Sequence, residues 1–141
     1  PHGALYNHIA KDEETASVVL RLIKSIVPEV LIYLPDNSIS SKIAHQLGLN
    51  VVYEVFADRA YEDDLSLRSR SLEGAVLVDE HQIITQLRSM IYEGNVISYS
   101  VLIKAIKAQT ICLHSDTPGA AQFAKKINEY LTQHGVEIIK A

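Results

Sequence analysis

Three polar clusters carry the side chains with which this chain could do chemistry. Pro1-His2-Gly3-Ala4-Leu5-Tyr6-Asn7 opens it, Glu54-Val55-Phe56-Ala57-Asp58-Arg59 sits near its middle, and His114-Ser115-Asp116-Thr117-Pro118 lies in its last third. The second and third clusters each follow an apolar run directly. Histidines and carboxylates are the side chains of proton transfer and of metal ligation. The spacing of His2, Asp58, His114 and Asp116 gives no tight ligand motif, so a metal stays undetermined here. Pro-His-Gly is loop chemistry, because proline lacks a backbone donor and glycine tolerates φ > 0.

Each cluster also has a plainer reading. Asp116 could serve only as a helix cap. Asp58 and Arg59 could form a loop ion pair of small consequence. Glu54, set within Val-Val-Tyr-Glu-Val-Phe, is harder to dismiss. A carboxylate among apolar strand residues is costly unless it faces solvent, a partner or a site. Tyr6, Tyr53 and Tyr61 could orient a ligand or simply fill core. His8, His45, His81 and His134 read as surface residues, Glu62-Asp63-Asp64 as a solvated loop, and Cys112 as a small core residue.

The elements that must position these groups alternate between short apolar runs and amphipathic segments. Residues 12–26 read as a helix, with Asp12 as its cap and Pro28 as its stop. Residues 30–34 form a uniformly apolar run, as expected of a parallel strand buried on both faces. Pro35-Asp36-Asn37-Ser38 starts a helix that runs to about Leu47 and closes at Gly48. Residues 50–56 are the next strand, and a long polar loop follows over 57–73. After a short apolar run at 75–78, Asp79 caps a helix that reaches Tyr92 and closes at Gly94. Residues 96–106 suggest two short strands, and 110–113 a further one. Thr117 or Asp116 caps a final helix ended by Gly135, and 136–139 reads as a last strand. Such alternation implies βα units with a mostly parallel sheet or barrel. Ligands of that architecture bind at the carboxyl ends of strands. Glu54, Asp58, Arg59, His114 and Asp116 fall there, and His2 would close a strand ahead of Pro1.

Composition narrows the function classes. The 141 residues suit one domain, and 48% hydrophobic residues can form a real core. A net charge of −4 points to no nucleic-acid or anionic-membrane surface. No apolar stretch approaches the ~20 residues of a membrane helix. The single cysteine excludes an intramolecular disulfide framework and suits a reduced, cytoplasmic protein.

The three clusters, in this order, resemble the LamB/YcsF family. Weaker matches are Arg70, Gly74-Ala75-Val76 and Gly94-Asn95-Val96. Leu65 stands where the family usually has Gly, Glu73 where it has Pro, and Ser115 where it has Gly. The resemblance covers nearly the whole chain and implies the C-terminal part of a family member. The implied fold is α/β: an incomplete (β/α) barrel of the deacetylase-like type, with mostly parallel strands and outer helices. The implied activity is ATP-consuming hydrolysis of 5-oxo-L-proline to L-glutamate, jointly with 5-oxoprolinase subunits B and C. His2, Glu54, Asp58, Arg59, His114 and Asp116 would be catalytic, while Asn7, Tyr61 and Arg70 would contact substrate. The same fold would also suit a metal-dependent, deacetylase-like hydrolase of carbohydrate, and a non-catalytic fragment is a third reading. The strand at 30–34 should form an open edge, so association is expected with an N-terminal segment or a second copy.

Overall fold

The computed structural model describes residues 1–139. Its centre is a parallel sheet of β1 (Leu31–Leu34), β2 (Asn50–Phe56) and β5 (Thr110–Cys112), in the order β1-β2-β5. Leu31 pairs with Asn50 at one seam, and Glu54 with Thr110 at the other. Helix α3 (Ile39–Gln46) makes the crossover from β1 to β2. A much longer excursion separates β2 from β5. It holds the polar loop, α4 (Glu80–Arg88) with a π-helical turn at Ser89–Glu93, and an antiparallel hairpin of β3 (Asn95–Ile97) and β4 (Ile103–Ala105). Helices α1 (Gly3–Ile9), α2 (Glu13–Ile26) and α5 (Ala120–Gln133) complete the elements.

Local chemistry explains most boundaries. Asp12 accepts from Thr15 N–H at 2.8 Å and starts α2. Ser38 accepts from Ser41 N–H at the head of α3, and Asp79 from Gln82 N–H at the head of α4. These caps satisfy donors that have no partner within the helix.

Three apolar clusters hold the layers together. Ile9, Leu20, Ile32, Leu34, Ile43 and Leu49 join α1, α2 and α3 to one face of β1. Val55, Phe56, Tyr61, Met90, Val96 and Ile106 fill the space under the hairpin, and Ala57, Ile83, Leu87, Phe123, Ile127 and Leu131 join α4 to α5.

Four sequence expectations are corrected. The strand at 30–34 is not buried on both faces: Ile32 and Leu34 are buried, but Leu31 is 49% and Tyr33 39% exposed. Helices cover only one face of β1 in this chain, and β1 is an edge. Residues 136–139 form no strand and join neither sheet. Pro1-His2-Gly3 is not simply loop, since α1 begins at Gly3 with His2 as its N-cap residue. Neither Asp116 nor Thr117 caps α5; its N-cap position is Gly119, and both side chains are engaged elsewhere.

The hairpin turn carries backbone strain. Val101 N–H bonds Ser98 O, and Ser98 N–H bonds Leu102 O, both at 2.9 Å. This three-residue loop places Val101 at φ +66°, a position that favours glycine. A left-handed L-residue costs about 1–2 kcal/mol, and glycine's extra unfolded freedom offsets about 0.4–1. Val101 is 77% exposed, so little packing is lost on truncation. Val101→Gly should therefore stabilise the chain by about 0.5–1 kcal/mol in urea unfolding. A fall in the midpoint would contradict this account of the turn.

Candidate active site

The parallel pairing of β2 with β5 brings two polar clusters to one carboxyl end. Phe56 lies opposite Cys112, and Ala57 N–H extends the ladder to Cys112 O at 3.0 Å. Asp58 follows directly and is 0% exposed. A buried carboxylate is tolerable only when its oxygens are hydrogen-bonded. Asp58 accepts from the His114 backbone N–H at 3.2 Å, from His114 Nδ1 at 3.0 Å and from the Thr117 hydroxyl. An ionised carboxylate only accepts, so the imidazole proton sits on Nδ1 and Nε2 is left as the basic nitrogen. Nε2 makes no hydrogen bond among the described residues, and the side chain stays 17% exposed. The ring stacks on Phe56, with centroids 5.5 Å apart and planes at 18°. This is an imidazole fixed in one tautomer and one orientation, as proton transfer requires.

Glu54 lies two residues before Phe56 on the same face of β2 and is partly buried. Burial raises its carboxyl above the usual range, an effect offset in part by the Tyr6 hydroxyl and by His114 and His2. Cys112 is pushed up to about 11, first by burial and then by the Glu54 and Asp58 charges. A thiol so protonated is a poor nucleophile.

The remaining candidates take different places. His2 is exposed, and its charge reaches Glu54. Asp116 meets Arg70 in a two-pronged ion pair at 2.7 and 3.3 Å, tying the long loop to the turn after β5. The Arg70 guanidinium holds the Asp116 carboxyl below its usual range. Arg59 does not pair with Asp58. Its Nε donates to Ala75 O at 3.2 Å and its Nη2 to Arg68 O at 2.6 Å, so the buried guanidinium braces the loop. Tyr61 is buried, and its hydroxyl accepts from Phe56 N–H at 2.8 Å. Asn7 is exposed on α1 and donates to Gly3 O. Glu54, Asp58 and His114 are thus brought together, Arg70–Asp116 crosses the rim, and Arg59 and Tyr61 form the frame below.

Two contributors escaped the sequence reading. Thr117 completes the shell of donors around Asp58. Gln86 Nε2 lies 3.1, 3.3 and 2.9 Å from the carbonyl oxygens of Phe56, Ala57 and Arg59. Neither has a local motif, since each acts across a long sequence separation. Tyr6, open in sequence between ligand contact and core, packs edge-on against Phe56 with centroids 5.8 Å apart. The run Glu62-Asp63-Asp64 also does more than solvate a loop. Glu62 pairs with Arg68 at 2.8 Å, Asp63 accepts from Ser98 and Ser100, and Asp64 meets Lys11 at 3.2 Å.

Among the described residues no three His, Cys, Asp or Glu side chains gather in a metal-ligating set. Of two surface clefts of about 430 and 310 Å³, the second includes Gln86, and neither is lined by Glu54, Asp58 or His114.

Parallel βα units with an oriented Asp–His pair at the strand ends define an α/β protein with a carboxyl-end site. The LamB/YcsF family model matches residues 1–141, and the chain belongs to that family. It is 47% identical over 138 residues to the 5-oxoprolinase A-subunit of Acinetobacter baylyi, covering 98% of this chain and 54% of that protein. It is 41% identical over 137 residues to a second-copy 5-oxoprolinase A-subunit of Bordetella bronchiseptica, again covering 54% of the relative. The chain spans about half the length of the curated relatives it matches. A crystal structure of the lactam utilization protein from Thermus thermophilus superposes with a TM-score of 0.87 at 33% identity, over 98% of this chain and 55% of that one. The α/β architecture and its incomplete-barrel form agree with that neighbour.

The raised Glu54 carboxyl makes stability pH-dependent. A group held above its unfolded value favours the folded state below that value, and the benefit is lost as pH rises through the raised one. Once ionised, a partly buried Glu54 therefore costs stability. Glu54→Gln should raise the urea midpoint at pH 8 and leave it nearly unchanged at pH 4. Equal shifts at both pH values would remove Glu54 from the pH dependence.

Proposed function

We propose that this chain is the C-terminal part of a 5-oxoprolinase A-subunit and contributes catalytic groups to opening 5-oxo-L-proline to L-glutamate. The observation that carries the reading is the Asp58–His114 pair, oriented at a strand end, in a chain similar throughout to proteins named as 5-oxoprolinase A-subunits. The structural neighbour is named for lactam utilization, which suits the same substrate class.

The chemistry explains why such a pair would be needed. Hydrolysis breaks the lactam C–N bond; water adds its oxygen to the carbonyl carbon, and a proton must reach the departing nitrogen. An unstrained lactam resists this. Phosphorylation of the amide oxygen by ATP would activate the carbonyl carbon toward water. Expulsion of the nitrogen would then leave an acyl phosphate, and a second water would release phosphate and the free carboxylate. Subunits B and C would deliver the ATP-dependent step in the cytoplasm. His114 Nε2 would take the water proton while Asp58 holds the ring through Nδ1. Glu54 would act as the second proton-transfer carboxylate, His2 would bias its charge, and Asp116 with Arg70 would border the substrate. Arg59 and Tyr61 would keep the strand ends in place, and Asn7 would stand at the outer rim. No observation favours the metal-dependent, carbohydrate-deacetylase reading, because the Asp58 oxygens already accept three protein donors.

In a full-length protein assembled with its partner subunits, Asp58→Asn should lower turnover by roughly 10²–10⁴-fold, beyond any loss of folded protein. Near-normal ATP-coupled glutamate formation would make Asp58 a structural residue alone. Residues 1–141 by themselves, which span about half a relative's length, are expected to release no glutamate from 5-oxoproline even with ATP. Glutamate release by the purified chain would overturn the multi-subunit reading.

A further inference from the structure

The Tyr6 hydroxyl is fully buried and makes no hydrogen bond of ordinary geometry among the described residues. Native structures seldom leave a buried hydroxyl without a partner, and such exceptions often belong to functional sites. Its ring is fixed edge-on against Phe56, centroids 5.8 Å apart. Phe56 and Glu54 leave β2 on the same face, two residues apart. The phenol therefore sits beside the Glu54 carboxylate, and each group alters the proton affinity of the other. A tyrosine here contributes one O–H donor that a phenylalanine of the same shape would lack.

We infer that Tyr6 is a positioning residue: its hydroxyl, kept ready in the interior, donates to the ionised Glu54 carboxylate and fixes that oxygen beside His114 during the reaction. This deepens the proposed function and rests on Glu54 belonging to that site. Other groups also face Glu54. His2 approaches from ahead of α1, Tyr61 from the loop after β2, Cys112 from β5 and His114 from just beyond it. Burial keeps Tyr61 and Cys112 protonated, the Tyr61 hydroxyl is already engaged by Phe56 N–H, and the His114 Nδ1 proton is held by Asp58. Tyr6 is the group among them that combines a buried, unpartnered donor with a ring locked by packing. Its phenol is itself pushed far above the usual tyrosine range, first by burial and then by Glu54, so it stays a donor throughout the working pH range.

The test uses the full-length protein assembled with its partner subunits, with Tyr6→Phe and Glu54→Gln as variants. Carboxyl carbon NMR reads the Glu54 titration, and steady-state kinetics reads kcat, KM and their pH profiles. In Tyr6→Phe we expect Glu54 to bind its proton about tenfold more tightly, as loss of a donor to a carboxylate implies. The acid limb of kcat should move to higher pH by the same factor, with KM and the unfolding midpoint unchanged. An unchanged Glu54 titration and pH profile in Tyr6→Phe, beside an inactive Glu54→Gln, would overturn the role of Tyr6 alone. Full turnover in Glu54→Gln would instead overturn the assignment of Glu54 to the reaction, and with it the catalytic meaning of the Tyr6 contact.

Discussion

Everything at the candidate site depends on one buried carboxylate. Asp58 sits just past the end of β2, and its three donors come from His114, two residues past β5, and from the turn that leads into α5. An isolated carboxylate in that place would be strongly penalised. With its donors in place it becomes a fastener joining two strand ends and a helix approach. Hydrogen bonds to a charged acceptor contribute about 1.5–3 kcal/mol each. The same bonds set the tautomer of His114. Structural and chemical demands therefore meet in one residue, and the sheet register of Phe56 on Cys112 is what brings them within reach.

The second constraint is the long excursion between β2 and β5. Parallel strands need a crossover, and here it carries a polar loop, a helix and a hairpin. The loop is held by side chains rather than by its own secondary structure. Arg59 fastens two carbonyls, Arg68 lies over the Tyr99 ring at 3.5 Å, and Arg70 reaches Asp116. Leu65 shows what this loop demands of its backbone. It adopts φ +66°, a conformation that favours glycine, and it recovers some of that strain by packing against the cluster around Tyr61 and Met90.

Much of this was legible in the residues. Asp12 and Asp79 cap helices as their positions imply, and the strand Asn50–Phe56 has the bounds its pattern suggests. Asp58 and His114 meet at one carboxyl end because each follows an apolar run, with Glu54 just inside the strand. What stayed hidden is what depends on distant partners. Thr117 looks like a cap and serves Asp58 instead, 59 positions away. Asp116 also looks like a cap and meets Arg70. The exposed face of β1 could not be read from an all-apolar run, since exposure depends on what covers a strand. The run 136–139 has strand-like residues and pairs with no strand. Tyr6 offered only a choice between core and ligand contact, because its meaning comes from Phe56 and Glu54, far along the chain.

Gln86 adds a consequence measured in time. Its single amide group offers two hydrogens to three carbonyl oxygens at the end of β2, where the chain turns from sheet to site. Hydrolysis of that amide to a carboxylate would replace both donors with an acceptor facing other acceptors. The change would also place a new negative charge close to the strand end that carries Asp58. The working life of the site is thus tied to the chemical persistence of one glutamine that braces the backbone.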